Sequence, residues 1–401
     1  MLPQALALPQ TGREASTVIV MTASSPFLND DHGAFRDQVA RFVESEITPS
    51  IDAWEEAGEL PRALHRCAAE AGVLQIGFPE ACGGIEVPDR FFEMIAIEEL
   101  CRAGSGGLIA SLMSHGIGTP PIVAAGTDEQ KQRFVAPVLA GDKVAALAIT
   151  EPSGGSDVAS IRTTARRDGD HYILKGSKTF ITSGMRADCI TTAVRTGGEG
   201  VGGISLLVVE GDTPGFSRSP LDKMGWRCSD TATLYFDDAR VPAANLIGVE
   251  NAGFMAIMQN FNGERLALAA QAWGLAQTCY REALDWARER QTFGKPLIAR
   301  QVIRHKLVDM KTAIDAVGAQ LHLLAWRVSQ GQHPVAELCM LKNLATSTLE
   351  QVAGQAVQIL GGAGYLRGAK SERIFRETKV LSIGGGASEI MKDLASRQLG
   401  Y

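Results

Sequence analysis

The hydrophobic period of the chain changes twice, and this order restricts the folds that it can adopt. Apolar residues recur at helical spacing from residue 33 to about residue 142. Between residues 144 and 236, short β-branched segments alternate with glycine, aspartate and proline, which is typical of strands and turns. The helical period returns after residue 248 and continues almost to residue 401. This order predicts an α+β chain in which a small β domain separates two helical units.

The domain boundaries are expected where the hydrophobic period of the chain changes. We predict an N-terminal helical domain at 28–143, a middle β domain at 144–248 and a C-terminal helical domain at 249–401, because 401 residues exceed the usual size of one core. Residues 1–27 form an irregular extension with Met21 as an alternative initiator, and they lack the charged start of a signal peptide. Acidic residues after Thr127 predict a capped helix start there.

Composition excludes several classes of function. Hydrophobic residues at 45% and charged residues at 21% are ordinary for a globular enzyme. A net charge of −6 without a basic tail argues against a nucleic-acid surface, and no apolar run is long enough to span a membrane. Seven cysteines without a C-x-x-C pair favour reduced thiols, so we expect a cytoplasmic protein. The histidines are isolated, and we expect no metal site.

Glu264 interrupts an apolar stripe that would otherwise cover one face of a helix. The stripe contains Phe254, Ile257, Phe261, Leu268, Ala272 and Leu275 at steps of three, four and seven residues. Burial of a carboxylate is costly unless it is paired or protonated. Either Glu264 belongs to a structural ion pair or a wet helix edge, or it has a functional role.

Five further motifs follow one another along the chain. They are TEPSGGSDV at 150–158, KTFITSG at 178–184, KMGWR at 223–227 with Ser229 and Thr231 after it, RQTFGKPL at 290–297 and QILGGAGY at 358–365. Alone, the glycine-rich 150–158 loop is a weak sign of a polar-ligand site, because such loops are often plain turns. In this order and at these separations, the five motifs resemble those of the acyl-CoA dehydrogenase family of FAD enzymes. The resemblance covers about residues 28–401.

The resemblance implies the finer architecture and the partners. The family has an N-terminal helical domain, a middle β-barrel-like domain and a C-terminal four-helix bundle, assembled as a homotetramer that is a dimer of dimers. FAD lies between the β domain and the C-terminal helices. An acyl-CoA is the substrate, and an electron-transferring flavoprotein takes the electrons.

The resemblance also assigns binding residues. Ile149, Thr150, Phe180 and Thr182 would lie against the isoalloxazine ring, and Ser156 would face the acyl-CoA. A neighbouring subunit would supply the residues at the adenine and pyrophosphate end of FAD, which are Arg290, Thr292, Phe293, Gln358 and Gly362. Ala387 and Glu389 would contact the cofactor. Core packing is the alternative for Phe180 and Phe293.

The catalytic base does not stand where most members of the family carry it. Their glutamate lies in a Tyr-Glu-Gly-Thr loop, and Gly385 occupies that position here. A minority, including the isovaleryl-CoA and long-chain enzymes, carries the base on a C-terminal-domain helix immediately before an arginine, as in Glu264-Arg265. Glu264 is therefore the candidate base, and the Gly385 N–H would bind the thioester oxygen. Arg265 would orient the substrate or CoA, or it is a solvated helix charge.

These features predict an FAD-dependent oxidation of an acyl-CoA to the trans-2-enoyl-CoA. The helix-borne base and the three glycines at 384–386 favour a branched or medium-to-long acyl chain, for example the terpenoid-derived chain of citronellyl-CoA. Gly385 also leaves open a flavoenzyme of the same fold with altered chemistry, such as a desulfinase, a nitroalkane oxidase or a monooxygenase. A non-catalytic DNA-associated protein is the third class, which the net charge disfavours.

Overall fold

The first unit of the fold consists of short helices. The computed structural model describes residues 25–401. The helices are α1 (Asp30–Phe42), α2 (Ile51–Ala57), α3 (Ala63–Glu70), α4 (Phe91–Cys101), α5 (Gly106–Leu112), α6 (His115–Gly118), α7 (Pro120–Ala125), α8 (Asp128–Phe134) and α9 (Ala136–Leu139). Thr127 caps α8 through a reciprocal capping box with Gln130, as the sequence predicts.

Eight strands of the middle unit form one sheet. They are β1 (Ala145–Ala148), β2 (Thr164–Asp168), β3 (His171–Thr182), β4 (Cys189–Arg195), β5 (Ile204–Glu210), β6 (Phe216–Pro220), β7 (Thr231–Pro242) and β8 (Leu246–Ile247). The order is β6-β7-β3-β2-β4-β5-β8, and β1 pairs with β4 in parallel. Side chains from β1, β3, β4, β5 and β7 pack into one enclosed core. The β-branched pattern of the sequence predicts strands at 144–149, 171–174, 178–182, 189–194, 204–209 and 232–236. It missed β2, β6 and β8, which are short or largely exposed.

Strand β3 joins two segments that the sequence predicts as separate strands. Its register against β7 shifts between Leu174 and Gly176 and again between Lys178 and Ile181. Gly176 has a φ of +138°, a conformation that other residues rarely adopt. The second shift contains Phe180 at a φ of +59°. The apparent gap in the strand pattern is therefore a pair of bulges, which redirect side chains without ending the strand.

The C-terminal unit is a bundle of long helices. They are α10 (Gly253–Glu289), α11 (Gln301–Ser329), α12 (Val335–Leu360), α13 (Lys370–Ile383) and α14 (Ser388–Leu399), with a small hairpin of β9 (Gln291–Thr292) and β10 (Lys295–Pro296) after α10. Helix α10 packs against α11, α12 and α13, and α12 also packs against α14. The predicted α+β fold with a C-terminal helical bundle is confirmed.

No single helix in residues 25–401 is long and apolar enough to cross a membrane. The bent helix pair Gly106–Leu112 and His115–Ala125 reaches the necessary length and apolar composition only when its two helices are taken together.

Candidate active site

Glu264 and the loop at 384–386 meet at one point of the C-terminal bundle. Glu264 lies on α10, one turn before Leu268, and the loop connects α13 to α14. A Cβ atom added at Gly385 would lie 3.4 Å from Glu264 Oε1 and 2.2 Å from Leu268 Cδ1. The two positions at which the resemblance places a base are therefore neighbours in space. The carboxylate reaches this place from the helix, and the loop offers only backbone.

Two of the three glycines of this loop are required by its geometry. Gly385 and Gly386 have φ values of +63° and +99°, which other residues adopt only with strain. A Cβ atom at Gly386 would lie 2.3 Å from Met391 Cε. Among the described residues, none accepts a hydrogen bond from the Gly385 N–H. That donor is therefore available to an oxygen atom of a ligand.

A buried lysine of α12 holds the same loop. The Lys342 side chain is fully buried, and its Nζ donates a hydrogen bond of 2.7 Å to the Gly386 carbonyl oxygen. Sequence reasoning missed this residue. The sequence does contain a signal for it, because Lys342 interrupts the apolar residues Leu338, Leu341 and Ala345 just as Glu264 interrupts its own stripe.

The electrostatics of the site bring the pKa of the Glu264 carboxyl group close to neutral pH. Burial raises the pKa of Glu264 from 4.5 to about 7, although the charges of Arg265 and Lys342 oppose this shift. Burial lowers the pKa of Lys342 to about 8, against the attraction of Glu264. Arg265 is itself buried, so it is not a solvated helix charge. A carboxyl group of this kind can accept a proton near neutral pH.

A buried ion pair in the β unit holds two candidate cofactor segments together. Lys178 Nζ lies 2.9 Å from Glu151 Oε1 and donates to the Ile149 carbonyl oxygen, also at 2.9 Å. Both side chains of the pair are buried. The Glu151 carboxylate in addition accepts hydrogen bonds from the backbone N–H groups of Arg162 and Thr163. Both partners lie inside motifs found in the sequence, but their pairing follows only from the fold.

This pair places a half-buried threonine and an exposed aromatic ring in adjacent segments. The Thr179 N–H donates to the Thr150 carbonyl oxygen at 2.9 Å, which connects the segment at 149–150 to that at 178–182. The Phe180 side chain is 69% exposed, so it is not a core residue. Its backbone has a left-handed conformation, which is uncommon for a residue other than glycine. Thr182 is half-buried at the end of β3. An aromatic face and a hydroxyl group in this arrangement suit a planar heteroaromatic ring such as isoalloxazine.

The remaining candidate residues lie on the surface of the C-terminal unit or in loops. Phe293 is 95% exposed on the hairpin after α10, where Arg290 and Thr292 also lie, so core packing is excluded for it. Gln358 and Gly362 are exposed at the end of α12. The structure thus places four of these five residues at the surface, leaves Thr292 half-buried, and does not gather them around Glu264.

Three further candidates lie in a loop and in a cleft. Ser156 is exposed in the glycine-rich loop after β1. Ala387 and Glu389 line a cleft of about 230 Å³ between α12, α13 and α14, next to the 384–386 loop. The cleft therefore adjoins the loop that meets Glu264.

Family models match the three units of the chain. The model described as acyl-CoA dehydrogenase, N-terminal domain, matches residues 29–142, the middle-domain model matches 146–239, and the C-terminal-domain model matches 251–400. An acyl-CoA dehydrogenase of Bacillus subtilis is 38% identical over 367 residues, which cover 91% of this chain and 96% of the relative.

Solved structures agree with these matches. The crystal structure of a putative acyl-CoA dehydrogenase from Mycobacterium smegmatis is similar, with a TM-score of 0.92 and 47% identity over 94% of this chain and 99% of that one. A glutaryl-CoA dehydrogenase from the same organism, solved in complex with FADH2, has a TM-score of 0.88 at 26% identity, over 95% of this chain and 97% of that one.

Proposed function

The chain belongs to the acyl-CoA dehydrogenase family, and on this premise we propose that it oxidises an acyl-CoA thioester to the trans-2-enoyl-CoA with Glu264 as the base. One observation carries the proposal. The Glu264 carboxylate lies beside the Gly385 backbone, with Oε1 3.4 Å from the point where a Cβ atom of that residue would stand. The chain is an FAD-dependent oxidoreductase of this family, and its residues must supply the base and the carbonyl-binding groups.

The proposed roles follow from the chemistry of a thioester. The α-proton becomes acidic when the thioester carbonyl is polarised, and the Gly385 N–H can donate to that oxygen. Glu264 then takes the α-proton onto its carboxylate. Its pKa of about 7 makes it a stronger base than an ordinary glutamate and still leaves much of it ionised at neutral pH. Arg265 remains a proposed substrate-orienting residue.

The cofactor is FAD, and when bound it would supply the acceptor for the hydride of the β-carbon. Ile149, Thr150, Phe180 and Thr182 would hold the isoalloxazine, and the Lys178–Glu151 pair keeps these segments in register. Ala387 and Glu389 would contact the cofactor from the cleft beside the loop.

The distant end of FAD is proposed to lie against a second subunit. Arg290, Thr292, Phe293, Gln358 and Gly362 are the residues proposed for this contact. The exposure of large apolar side chains such as Phe293 and Tyr365 supports this proposal, because a homotetramer would cover them. An electron-transferring flavoprotein is the proposed acceptor. A cytoplasmic location is also proposed, from the cysteine content alone.

We propose a branched or medium-to-long acyl substrate. Because the proposed base is on α10, the loop does not need a catalytic side chain. The glycines at 384–386 leave little side-chain bulk next to the proposed thioester position. Both features favour chains with a substituent near the reacting carbons. Citronellyl-CoA represents the terpenoid-derived case, and Ser156 is a proposed contact for the acyl-CoA.

Anaerobic reduction of the flavin tests the proposal. The purified holoprotein should bleach at the flavin absorption band when mixed with acyl-CoAs from a panel of short, long, straight and branched chains. Glu264→Gln should retain the flavin and lose bleaching by about 10³-fold or more, because the base is removed with little change in shape. Glu289→Gln, at the exposed end of the same helix, is the matched control and should bleach like the wild type.

The same panel separates the alternative chemistry. Absence of bleaching with every acyl-CoA in wild-type protein would refute the dehydrogenase. Oxygen consumption or sulfite release without enoyl-CoA would instead establish a flavoenzyme of the same fold with altered chemistry, which the glycine at 385 motivates.

A further inference from the structure

Lys342 is a buried cation beside the proposed base, and the reaction as described above does not use it. Its side chain is fully buried in α12, where a lysine is otherwise unfavourable. The hydrogen bond of Nζ to the Gly386 carbonyl oxygen compensates part of this cost. A methionine of similar length would fill the same space without burying a charge. The position therefore calls for a reason beyond packing.

The first contribution of Lys342 is to the glycine loop. A run of three glycines has more conformational freedom to lose than any other tripeptide. Lys342 fixes the carbonyl of Gly386, directly after Gly385, where an added Cβ atom would lie 3.4 Å from Glu264 Oε1. Met391 confines the Gly386 backbone from the other side, since a Cβ there would lie 2.3 Å from its Cε. Without the ammonium group, the loop loses the polar contact that links it to α12.

The second contribution is electrostatic. Four titratable or charged groups act on the Lys342 ammonium: Glu264 and Arg265 from α10, Cys339 from its own helix and Glu389 from α14. Glu264 in turn is influenced by Arg265 and Lys342. Both cations lower the pKa of Glu264 and so oppose the effect of burial. The charge of Lys342 itself changes with pH in this range, because its pKa is lowered to about 8.

We propose that Lys342 is a positioning residue that anchors the 384–386 loop and keeps Glu264 ionised beside it. The catalytic meaning of this inference rests on the proposed function. The hydrogen bond of Lys342 to Gly386 and its charge coupling to Glu264 do not rest on the proposed function, because both involve only residues of the chain itself. The ammonium group neither takes the α-proton nor touches the thioester, and it acts only through the loop and Glu264.

A direct titration of Glu264 tests the charge coupling without any turnover. Isotope-edited infrared spectra of protein labelled with ¹³C-glutamate report the carboxyl protonation, and the band missing in Glu264→Gln assigns it. In Lys342→Met the midpoint of Glu264 should rise by about one pH unit, because a neighbouring opposite charge is removed. Lys392→Met, an exposed lysine on α14, makes the same change in net charge and should leave the midpoint where it is. An unchanged midpoint in a folded Lys342→Met protein would overturn the proposal.

The reciprocal measurement covers the case in which Lys342→Met does not fold. Coupling between two titrating groups is mutual, so Glu264→Gln should lower the midpoint of the Lys342 ammonium in NMR spectra of ¹³C-lysine protein. A Lys342 midpoint that is equal in Glu264→Gln and wild type contradicts the coupling.

Two further readouts connect the contact to the loop and to the reaction. Hydrogen exchange of the Gly384 and Met391 amides, whose hydrogen bonds to the Val380 and Ala387 carbonyl oxygens lie at the two ends of the loop, should become at least tenfold faster in Lys342→Met than in Lys392→Met. Equal rates would refute the anchoring role. The pH profile of flavin reduction should move upward together with the Glu264 midpoint. If wild-type flavin is not reduced by any acyl-CoA but the midpoint still depends on Lys342, the proposed function fails and the positioning role stands.

Discussion

At the scale of single residues, two charged side chains account for much of the site. Glu264 interrupts a partly buried apolar stripe on α10, and Lys342 interrupts a buried one on α12. A helix face that served packing alone would carry neither of these charged side chains. Their pKa values, about 7 and about 8, approach each other because burial penalises both charged forms.

The raised pKa of Glu264 predicts a particular dependence of stability on pH. A pKa that is higher in the folded chain means that the folded state binds the proton more tightly. Stability therefore falls as pH rises from 4.5 to about 7, and above that range the ionised carboxylate destabilises the fold. Glu264→Gln has no such charge. At pH 8 it should melt about 3 °C higher than wild type, and at pH 4.5 the two should coincide.

Differential scanning calorimetry at matched flavin content measures this difference. Glu289→Gln serves as the control, because Glu289 is exposed at the end of α10. A melting temperature of Glu264→Gln at or below that of wild type at pH 8 would show that the carboxylate carries no burial penalty.

At the scale of elements, the connection from α13 to α14 shows why the glycines matter individually. Gly384 has an ordinary φ of −70°, whereas Gly385 has a φ of +63° and packs against Leu268 of α10. The sequence shows three equal glycines. The structure separates them by conformation and by the space around each.

Alanine substitutions should therefore differ within the loop. Gly385→Ala introduces a left-handed alanine and a contact with Leu268, so it should lower the free energy of unfolding by about 1–2 kcal/mol. Gly384→Ala is the matched control and should change it by no more than about 0.5 kcal/mol. Urea denaturation of both variants makes the comparison. Equal losses would mean that the backbone conformation of Gly385 is not required.

At the scale of the whole molecule, the exposed apolar residues indicate a contact with another molecule. Phe293 combines 95% exposure with a φ of +48°, and the Arg300 guanidinium lies 5.4 Å from its ring. Tyr365 is 87% exposed at the end of α12. Such side chains are costly in water unless a partner or a ligand covers them.

The proposed tetramer is tested through Phe293. Phe293→Asp should shift the mass in light scattering below that of a tetramer and release FAD at least tenfold more readily, because the ring would otherwise contact a neighbouring subunit and its cofactor. Tyr401→Asp changes another exposed aromatic residue, at the end of the chain, and should alter neither quantity. A flavin-replete tetramer in Phe293→Asp would remove Phe293 from the interface.

The sequence alone determined the order of helical and extended units, the capped start at Thr127, and the suspicion that Glu264 is more than a packing residue. These features depend on local periodicity and on residue chemistry, which a linear pattern contains. Tertiary structure decided that Gly385 lies against Glu264, that Lys342 anchors the same loop, and that Lys178 pairs with Glu151. Each of these contacts joins residues far apart in the chain. Their burial and hydrogen bonds exist only after the helices and strands have packed, so no local pattern encodes them.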